Sequence, residues 1–112
     1  MERVSVSENE SSEAVDGTHL TQLASGEETS IQFFEFDPES KVPEHSHHHE
    51  QTGFIIEGEL TFFRGDEETV VGPGDSFIIP PEETHGAENR GDVNVRGIEV
   101  FAPPRAEPDW GE

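Results

Sequence analysis

Short apolar runs separated by turn residues limit what this 112-residue chain can fold into more than any other feature. The runs are rich in β-branched and aromatic residues, and Gly, Pro and Asp interrupt them about every ten residues. No segment shows two clean turns of helical periodicity. The strands predicted from the runs are residues 30–36, 53–57, 60–63, 68–71, 76–79, 85–88 and 93–101. About eight short strands without crossover helices predict an all-β fold, either an antiparallel sandwich or a barrel.

The two ends of the chain differ from the middle. Residues 1–16 carry almost no apolar runs, which predicts a poorly ordered acidic arm. The length suits one domain, so residues 17–112 are predicted to form a single barrel domain. The C-terminal tail contains Pro103, Pro104 and Pro108, which cannot donate to a sheet. We expect this tail to lie across the barrel or against a neighbouring subunit.

The charge is strongly negative, with 26 acidic and six basic residues and a formal net charge of −20. A field of this sign repels phosphate backbones and anionic lipids, so we expect no nucleic-acid and no membrane partner. The acidity is typical either of a disordered, solvating protein or of a folded domain in a salt-rich cytoplasm. The apolar runs favour the second, which predicts a halophilic, cytoplasmic protein. The chain has no cysteine, which excludes disulfides and thiolate chemistry.

A histidine cluster at residues 45–49 carries the clearest chemical signal. If this stretch is an extended strand, His45, His47 and His49 share one face, with imidazoles about 6–7 Å apart. Two imidazoles on one face begin a metal site, and His85 is the remaining histidine of the predicted strands. His48 then points away as a bystander, and His19 is predicted to be a surface residue. The alternative for the cluster is a solvated polar loop.

The spacing around these histidines resembles that of the cupins. His45-x-His47-x(3)-Gln51-x(6)-Gly58 follows their first motif with Gln in the place of Glu. Gly74-x(5)-Pro80-x(4)-His85-x(3)-Asn89 follows their second motif at every position. The resemblance covers residues 29–101 and implies an antiparallel jelly-roll β-barrel. It also implies one divalent metal ion held by His45, His47, Gln51 and His85.

Two further consequences attach to these motifs. Gly58 and Gly74 are predicted to be structural, permitting positive φ in tight turns, and Pro80 to end a strand. A neutral amide at Gln51 leaves the ion its full double charge, which strengthens polarisation of substrate oxygens. Imidazole and oxygen ligands suit Zn, Ni, Fe, Mn or Cu, and the sequence does not choose among them.

A narrower resemblance links the chain to the pectin-degradation cupins, which convert unsaturated uronates to linear keto sugars. Those proteins carry Asp-x-Phe-x(3)-Arg on the C-terminal strand, and this chain has Glu99-x-Phe101-x(3)-Arg105. The resemblance implies catalytic roles for Glu99 and Arg105, and substrate binding by Arg105, Phe101 and His49. The alternative is that Glu99 and Arg105 form a surface ion pair.

Three functional classes follow. The first is a divalent-metal-dependent enzyme acting on a small anionic, uronate-like substrate. The second is a metal-dependent dioxygenase, and the third is a non-catalytic sensor or small-molecule binding module. Doubly apolar strands such as residues 54–56 and 78–79 also leave a second surface, for which we expect a homodimer.

Overall fold

Ten strands form the fold in a computed structural model that describes residues 1–105. The strands are β1 (Ser12–Val15), β2 (Thr18–Ser25), β3 (Ser30–Phe36), β4 (Lys41–His45), β5 (Glu50–Glu57), β6 (Leu60–Arg64), β7 (Glu67–Val71), β8 (Ser76–Ile79), β9 (His85–Glu88) and β10 (Val95–Ala102). The helical structure in this range is one 3-10 turn, Val6–Glu8. The predicted all-β class is confirmed.

Two antiparallel sheets face each other as a jelly roll. One has six strands in the order β1-β2-β3-β10-β5-β8, and the other has four in the order β4-β9-β6-β7. The chain crosses from one sheet to the other several times, so residues that are distant in sequence face each other across the interior. β3 and β10 lie at the centre of the larger sheet and pair along seven residues, from Val95 opposite Phe36 to Phe101 opposite Ser30.

Alternation along the central strands decides which side chains enter the interior. On β3 the buried residues are Ser30, Gln32, Phe34 and Phe36, and on β10 they are Val95, Gly97, Glu99 and Phe101. Successive side chains of a strand point to opposite faces, so these two rows line the inside of the barrel. Phe34, Phe36 and Val95 pack with the other buried apolar residues into one core, which also contains Leu20, Val42, Ile55, Leu60, Val71 and Ala87. Gln32 and Glu99 are polar members of the same inward rows.

Three strands were not among the predicted ones. β1 and β2 form an antiparallel pair that the apolar runs do not mark, because the inward row of β2 mixes Thr18 and Gln22 with Leu20. β4 contains Pro43, which argues against a strand in a sequence. The proline is tolerated because β4 is an edge strand of the four-stranded sheet.

The two ends of the chain are where the acidic arm and the proline-containing tail were predicted. Strand pairing begins at Ser12, inside the stretch 1–16 assigned to the acidic arm, and the poor order of that arm stays a prediction. At the other end the backbone N–H of Arg105 donates to Ser30 Oγ at 2.9 Å, which fixes the chain beside the start of β3. Pro108 and the other tail residues after Arg105 lie outside the described residues. In residues 1–105 no helix is long and apolar enough to cross a membrane.

The two turn glycines have the predicted conformation. Gly58 has φ 81° and Gly74 has φ 88°, both in the left-handed region that favours glycine. Gly58 is also sterically required, since a Cβ there would lie 2.6 Å from the carbonyl oxygen of Asn94. β8 ends at Ile79, immediately before Pro80, as predicted.

Candidate metal centre

Strand pairing brings two histidines that are 40 positions apart directly opposite each other. His45 ends β4, His85 begins β9, and the two residues are register partners in the smaller sheet. Their ring centroids lie 4.4 Å apart. The predicted convergence of these two histidines is confirmed, and it follows from the antiparallel pairing of β4 with β9.

His47 reaches the same point from a loop. The expectation of an extended strand over residues 45–49 was wrong, because β4 ends at His45 and β5 begins at Glu50. β4 and β5 belong to different sheets, so residues 46–49 must cross from one sheet to the other. This crossing turns the ring of His47 inward, 5.7 Å from that of His45 and 5.1 Å from that of His85. The backbone N–H of Glu82 donates to the His47 carbonyl at 2.7 Å, which ties the crossing to the loop before β9.

The three rings offer ligand atoms to one common position. One nitrogen each of His45, His47 and His85 lies within 4.8 Å of the others, and two of the three residues are buried. His48 is exposed, with its ring beside that of His49, and lies outside this cluster. His19 is half-buried and pairs with Asp37 at 3.1 Å on the outer surface, and that ion pair raises its pKa. The cluster of three has the size that a single divalent ion requires.

Backbone carbonyls lie against one nitrogen of each ring. The Nδ1 atoms of His45 and His85 lie 2.9 Å from the carbonyls of Pro43 and Glu83, and Nδ1 of His47 lies 3.1 Å from that of His49. A carbonyl can only accept, so in the neutral rings of His45 and His85 the proton is on Nδ1 and the lone pair on Nε2. Nε2 of His47 faces a second acceptor, Gln51 Oε1. Metal-binding histidines in proteins are held in this way by their second nitrogen.

Burial favours the neutral form of the His45 and His85 rings. Desolvation lowers the pKa of His45 from 6.5 to about 4, although its contact with the Pro43 carbonyl opposes the shift. Desolvation also lowers the pKa of His85, against the opposing contact with the Glu83 carbonyl. Neighbouring imidazoles lower both further, since two charged rings at this separation repel. Neutral rings are the form that binds a metal.

Gln51 completes the arrangement from β5. Its Oε1 lies 3.0 Å from Nε2 of His47, and its side chain is buried. A neutral His47 ring has one proton for two facing acceptors, the His49 carbonyl and Gln51 Oε1. With the proton on Nδ1, a cation beside Nε2 and Oε1 would satisfy both of these atoms. The residues therefore fit a metal ion, with three imidazole nitrogens and one amide oxygen as the ligand set. His45, His47, Gln51 and His85 are the residues that could hold it.

Glu99 lies directly behind Gln51 inside the barrel. It is 9% exposed, accepts from Gln51 Nε2 at 2.7 Å and from Gln32 Nε2 at 2.8 Å. Desolvation raises the pKa of Glu99, while the charge of Arg105 and the two amide contacts lower it. The alternative of a surface ion pair between Glu99 and Arg105 was wrong, because both side chains are buried. β10 carries Glu99 on its inward face, so the residue belongs to the interior by register.

Arg105 and Phe101 lie on the other side of the cluster. The guanidinium of Arg105 stands 3.8 Å from the centre of the Phe101 ring and is 4% exposed. Phe101 is fully buried, and its ring also meets those of His47 and His49 at 6.0 and 5.9 Å. Phe101 therefore packs against Arg105, His47 and His49, and it does not line the cavity between the two sheets. His49 is buried against Phe101 and likewise stands behind the cluster.

A cavity opens between the two sheets beside these groups. Its free volume is about 30 Å³, which is room for about two water molecules. Its polar lining residues are Thr18, His45, Gln51, His85, Glu99 and Arg105, and its apolar ones include Leu20, Phe36, Leu60 and Phe62. Cationic, acidic and imidazole groups therefore converge on one mostly apolar pocket.

Sequence reasoning missed the polar residues behind the site. Gln32 is fully buried on β3 and joins Glu99 to Gln22 of β2, whose Nε2 donates to Gln32 Oε1 at 2.6 Å. Thr18 is also fully buried, with its hydroxyl unpartnered within the described residues. A signal for Gln32 was present, since Ser30, Phe34 and Phe36 share its face, and an amide in an otherwise core-facing row requires a partner.

The chain resembles known proteins over most of its length. Residues 32–101 match the family described as Cupin domain. KdgF from a Halomonas species has 22% identity, a TM-score of 0.85, and coverage of 95% of this chain and 96% of that one. An RmlC-like cupin from Shewanella frigidimarina has 25% identity, a TM-score of 0.80, and coverage of 94% and 97%. The likeness to KdgF, at this identity, shows the fold.

A curated relative shares part of its sequence with this chain. The H2HPP isomerase of Bacillus subtilis is 33% identical over 64 residues, which are 56% of this chain. The same stretch is 27% of the relative, so this chain spans about a quarter of its length. The family match over residues 32–101 includes both motifs, from His45 to Asn89.

Proposed function

This chain belongs to the cupin family, and from that membership we propose that it is a divalent-metal-dependent enzyme acting on a small anionic, uronate-like substrate. The observation that carries the proposal is the ligand set, in which three imidazoles with ligand atoms within 4.8 Å of one another lie beside one amide oxygen. A bound divalent ion would supply Lewis-acid polarisation of a substrate oxygen.

The anionic class of the substrate follows from Arg105. Its guanidinium lines the cavity that His45 and His85 also line, in a protein whose net charge is −20. Guanidinium groups bind carboxylates by paired hydrogen bonds in a fixed plane, and stacking on Phe101 fixes that plane. An acid group of the substrate held there would orient the rest of the molecule toward the histidines.

The reaction class rests on two resemblances. Glu99-x-Phe101-x(3)-Arg105 is similar to the C-terminal motif of the pectin-degradation cupins, with Glu for Asp. The curated relative from Bacillus subtilis is named an isomerase. Both support a rearrangement of the substrate without an external oxidant. The proton-transfer role considered for Glu99 gains less support, since both of its carboxylate oxygens accept amide N–H groups.

The test begins with elemental analysis of protein purified without added metal. We expect one divalent ion per chain, and turnover of unsaturated uronates that stops after chelation and returns on metal addition. His85→Ala should lower metal affinity by about 100-fold or more, since changes to residues that only hydrogen-bond to a metal ligand already cost about 10–100-fold. His48→Ala is the matched control, because His48 is exposed and outside the cluster.

Each outcome has a separate meaning. Protein that neither contains nor takes up a divalent ion overturns the metal site and leaves a small-molecule binding module. Bound iron or copper with dioxygen consumption overturns the isomerase proposal in favour of a dioxygenase. Metal binding without turnover of any uronate overturns the substrate class.

We also propose that the protein is a homodimer joined through the outer face of β5 and β8. Phe54, Ile56 and Ile78 expose 42%, 53% and 60% of their surface there. β8 is an edge strand, so its outer backbone groups are free to extend the sheet. Two copies with a charge of −20 can approach closely only where charge is absent, and these three side chains provide such a place.

A further inference from the structure

A row of hydrogen-bonded polar side chains crosses the inside of the larger sheet and ends at the candidate metal centre. Its members come from four neighbouring strands: Gln22 of β2, Gln32 of β3, Glu99 of β10 and Gln51 of β5. Gln22 is the register partner of Gln32, and Gln32 is the register partner of Glu99. The row is therefore set by strand pairing.

The last step of the row is diagonal. The residue directly opposite Glu99 on β5 is Gly53, which has no side chain, and Gln51 lies two positions along the strand. Diagonal neighbours on one face of a sheet are within reach of long side chains. Glu99 Oε1 accordingly meets Gln51 Nε2 at 2.7 Å.

The hydrogen bonds converge on Glu99 from both sides. Gln22 donates to Gln32 at 2.6 Å, Gln32 donates to Glu99 at 2.8 Å, and Gln51 donates to Glu99 from the other side. An amide has one oxygen and one nitrogen end, so committing Nε2 of Gln51 to Glu99 turns its Oε1 toward His47. If the amide rotated by half a turn, its oxygen would face the Glu99 carboxylate and its N–H groups would face the ligand position. Both contacts would be unfavourable.

We propose, resting on the metal-dependent function above, that Glu99 is a positioning residue for the metal ligand Gln51. Its carboxylate holds the amide oxygen of Gln51 toward the ion. Its carboxyl group lies one hydrogen bond behind that ligand, where the usual cupin motif has a carboxyl group as the ligand itself. Glu99 in this way supplies, one hydrogen bond away, the carboxyl group that position 51 lacks.

Removal of the acceptor tests the orienting role. Glu99→Met has a similar length and only a weak thioether acceptor, so the amide of Gln51 is no longer held firmly. We expect the dissociation constant for Zn²⁺, measured by competition with a chromophoric chelator, to rise by about 10–100-fold. Glu88→Met is the matched control, since Glu88 is a half-buried strand residue paired with Arg90 outside the site, and its affinity should stay that of the wild type.

Exchange of the two groups separates positioning from a general structural role. Gln51→Glu alone puts two carboxylates at the separation of the present hydrogen bond, and we expect weak Zn²⁺ binding. The double variant Gln51→Glu with Glu99→Gln restores one carboxylate and one amide with the donor reversed. We expect it to recover wild-type affinity or better, and the visible spectrum of its Co²⁺ form to regain the wild-type band positions.

The outcomes distinguish this inference from the proposed function. Wild-type protein that binds no Zn²⁺ overturns the function itself. Wild-type binding with unchanged affinity in Glu99→Met overturns the positioning role alone. Additive losses in the double variant overturn it as well, because two independent structural defects add and a reversed hydrogen bond does not.

Discussion

Burial of the site histidines couples their protonation to the stability of the protein. His45 has a pKa of about 4 in the folded chain against 6.5 when solvated, and the pKa of His85 is lowered by the same desolvation. At pH values between about 4 and 6.5, His45 binds a proton in the unfolded chain and does not in the folded chain. The contribution of His45 to stability is therefore complete above about pH 6.5 and is lost as the pH falls toward 4.

The variant His45→Gln tests this linkage in metal-free protein. The free energy of unfolding, measured by urea titration from neutral pH down to about pH 4, should fall less steeply in the variant than in the wild type. The comparison is needed because protonation of the many carboxylates also changes stability over this range. Parallel pH profiles for the two proteins would contradict the assignment of a lowered pKa to His45.

At the scale of elements, the site depends on how closely β10 approaches its neighbours. The pairing of β10 with β5 shifts register between Arg96 and Gly97, two residues before Glu99. A Cβ at Gly97 would lie 2.4 Å from the ring of Phe34 and 2.5 Å from the carbonyl oxygen of Phe54. Phe34 is fully buried and the carbonyl is backbone, so neither can move away freely.

Gly97→Ala should therefore destabilise the protein by about 1–3 kcal/mol, the usual range for overpacking a core. The free energy of unfolding by urea measures the effect. Gly26→Ala is the control, because the nearest atom to a Cβ there is 3.8 Å away, and its stability should be close to that of the wild type. Equal stabilities of the two variants would show that β10 can shift to accept a side chain.

Over the whole molecule, the net charge of −20 opposes compact folding. Salt shortens the range of that repulsion, from about 10 Å at about 0.1 M to about 3 Å at about 1 M. We expect the free energy of unfolding to rise over this range of KCl by on the order of 1 kcal/mol or more, since one like-charge pair at about 4 Å in water repels by about 1 kcal/mol. Replacement of the exposed Glu27, Glu28 and Glu59 by Gln should reduce the increase. A stability that falls as KCl is added would contradict the halophilic prediction.

The dimer is a second prediction at this scale. Light scattering after gel filtration in high salt should give twice the mass of the chain. Ile78→Glu should give a monomer, because it places a charge in the centre of the proposed contact. Val70→Glu is the matched control, since Val70 is 58% exposed on β7 of the other sheet. A wild-type monomer, or a dimer that survives Ile78→Glu, would remove this interface.

The sequence predicted much of the fold because its signals are local. Phe33, Phe34, Ile55 and Ile79 stand in short runs between turn residues, and such runs mark strands whichever sheets they join. β2 was missed since its inward face carries Thr18 and Gln22, whose burial depends on partners supplied by β3. The extended conformation expected at His47 was wrong for a related reason. The residues around His47 do not indicate that β4 and β5 lie in different sheets.

Residue types and spacing alone determined the all-β class and the turns at Gly58 and Gly74, and the resemblance to the cupin motifs implied that His45, His47 and His85 meet. Only the tertiary structure decided the surroundings of that cluster. It placed Glu99 behind Gln51, joined Glu99 to Gln32, and put Phe101 beneath Arg105. The physical reason is that spacing reports which face of a strand a side chain occupies. Strand order and register, fixed by the packing of all ten strands together, decide which side chains meet across the sheet.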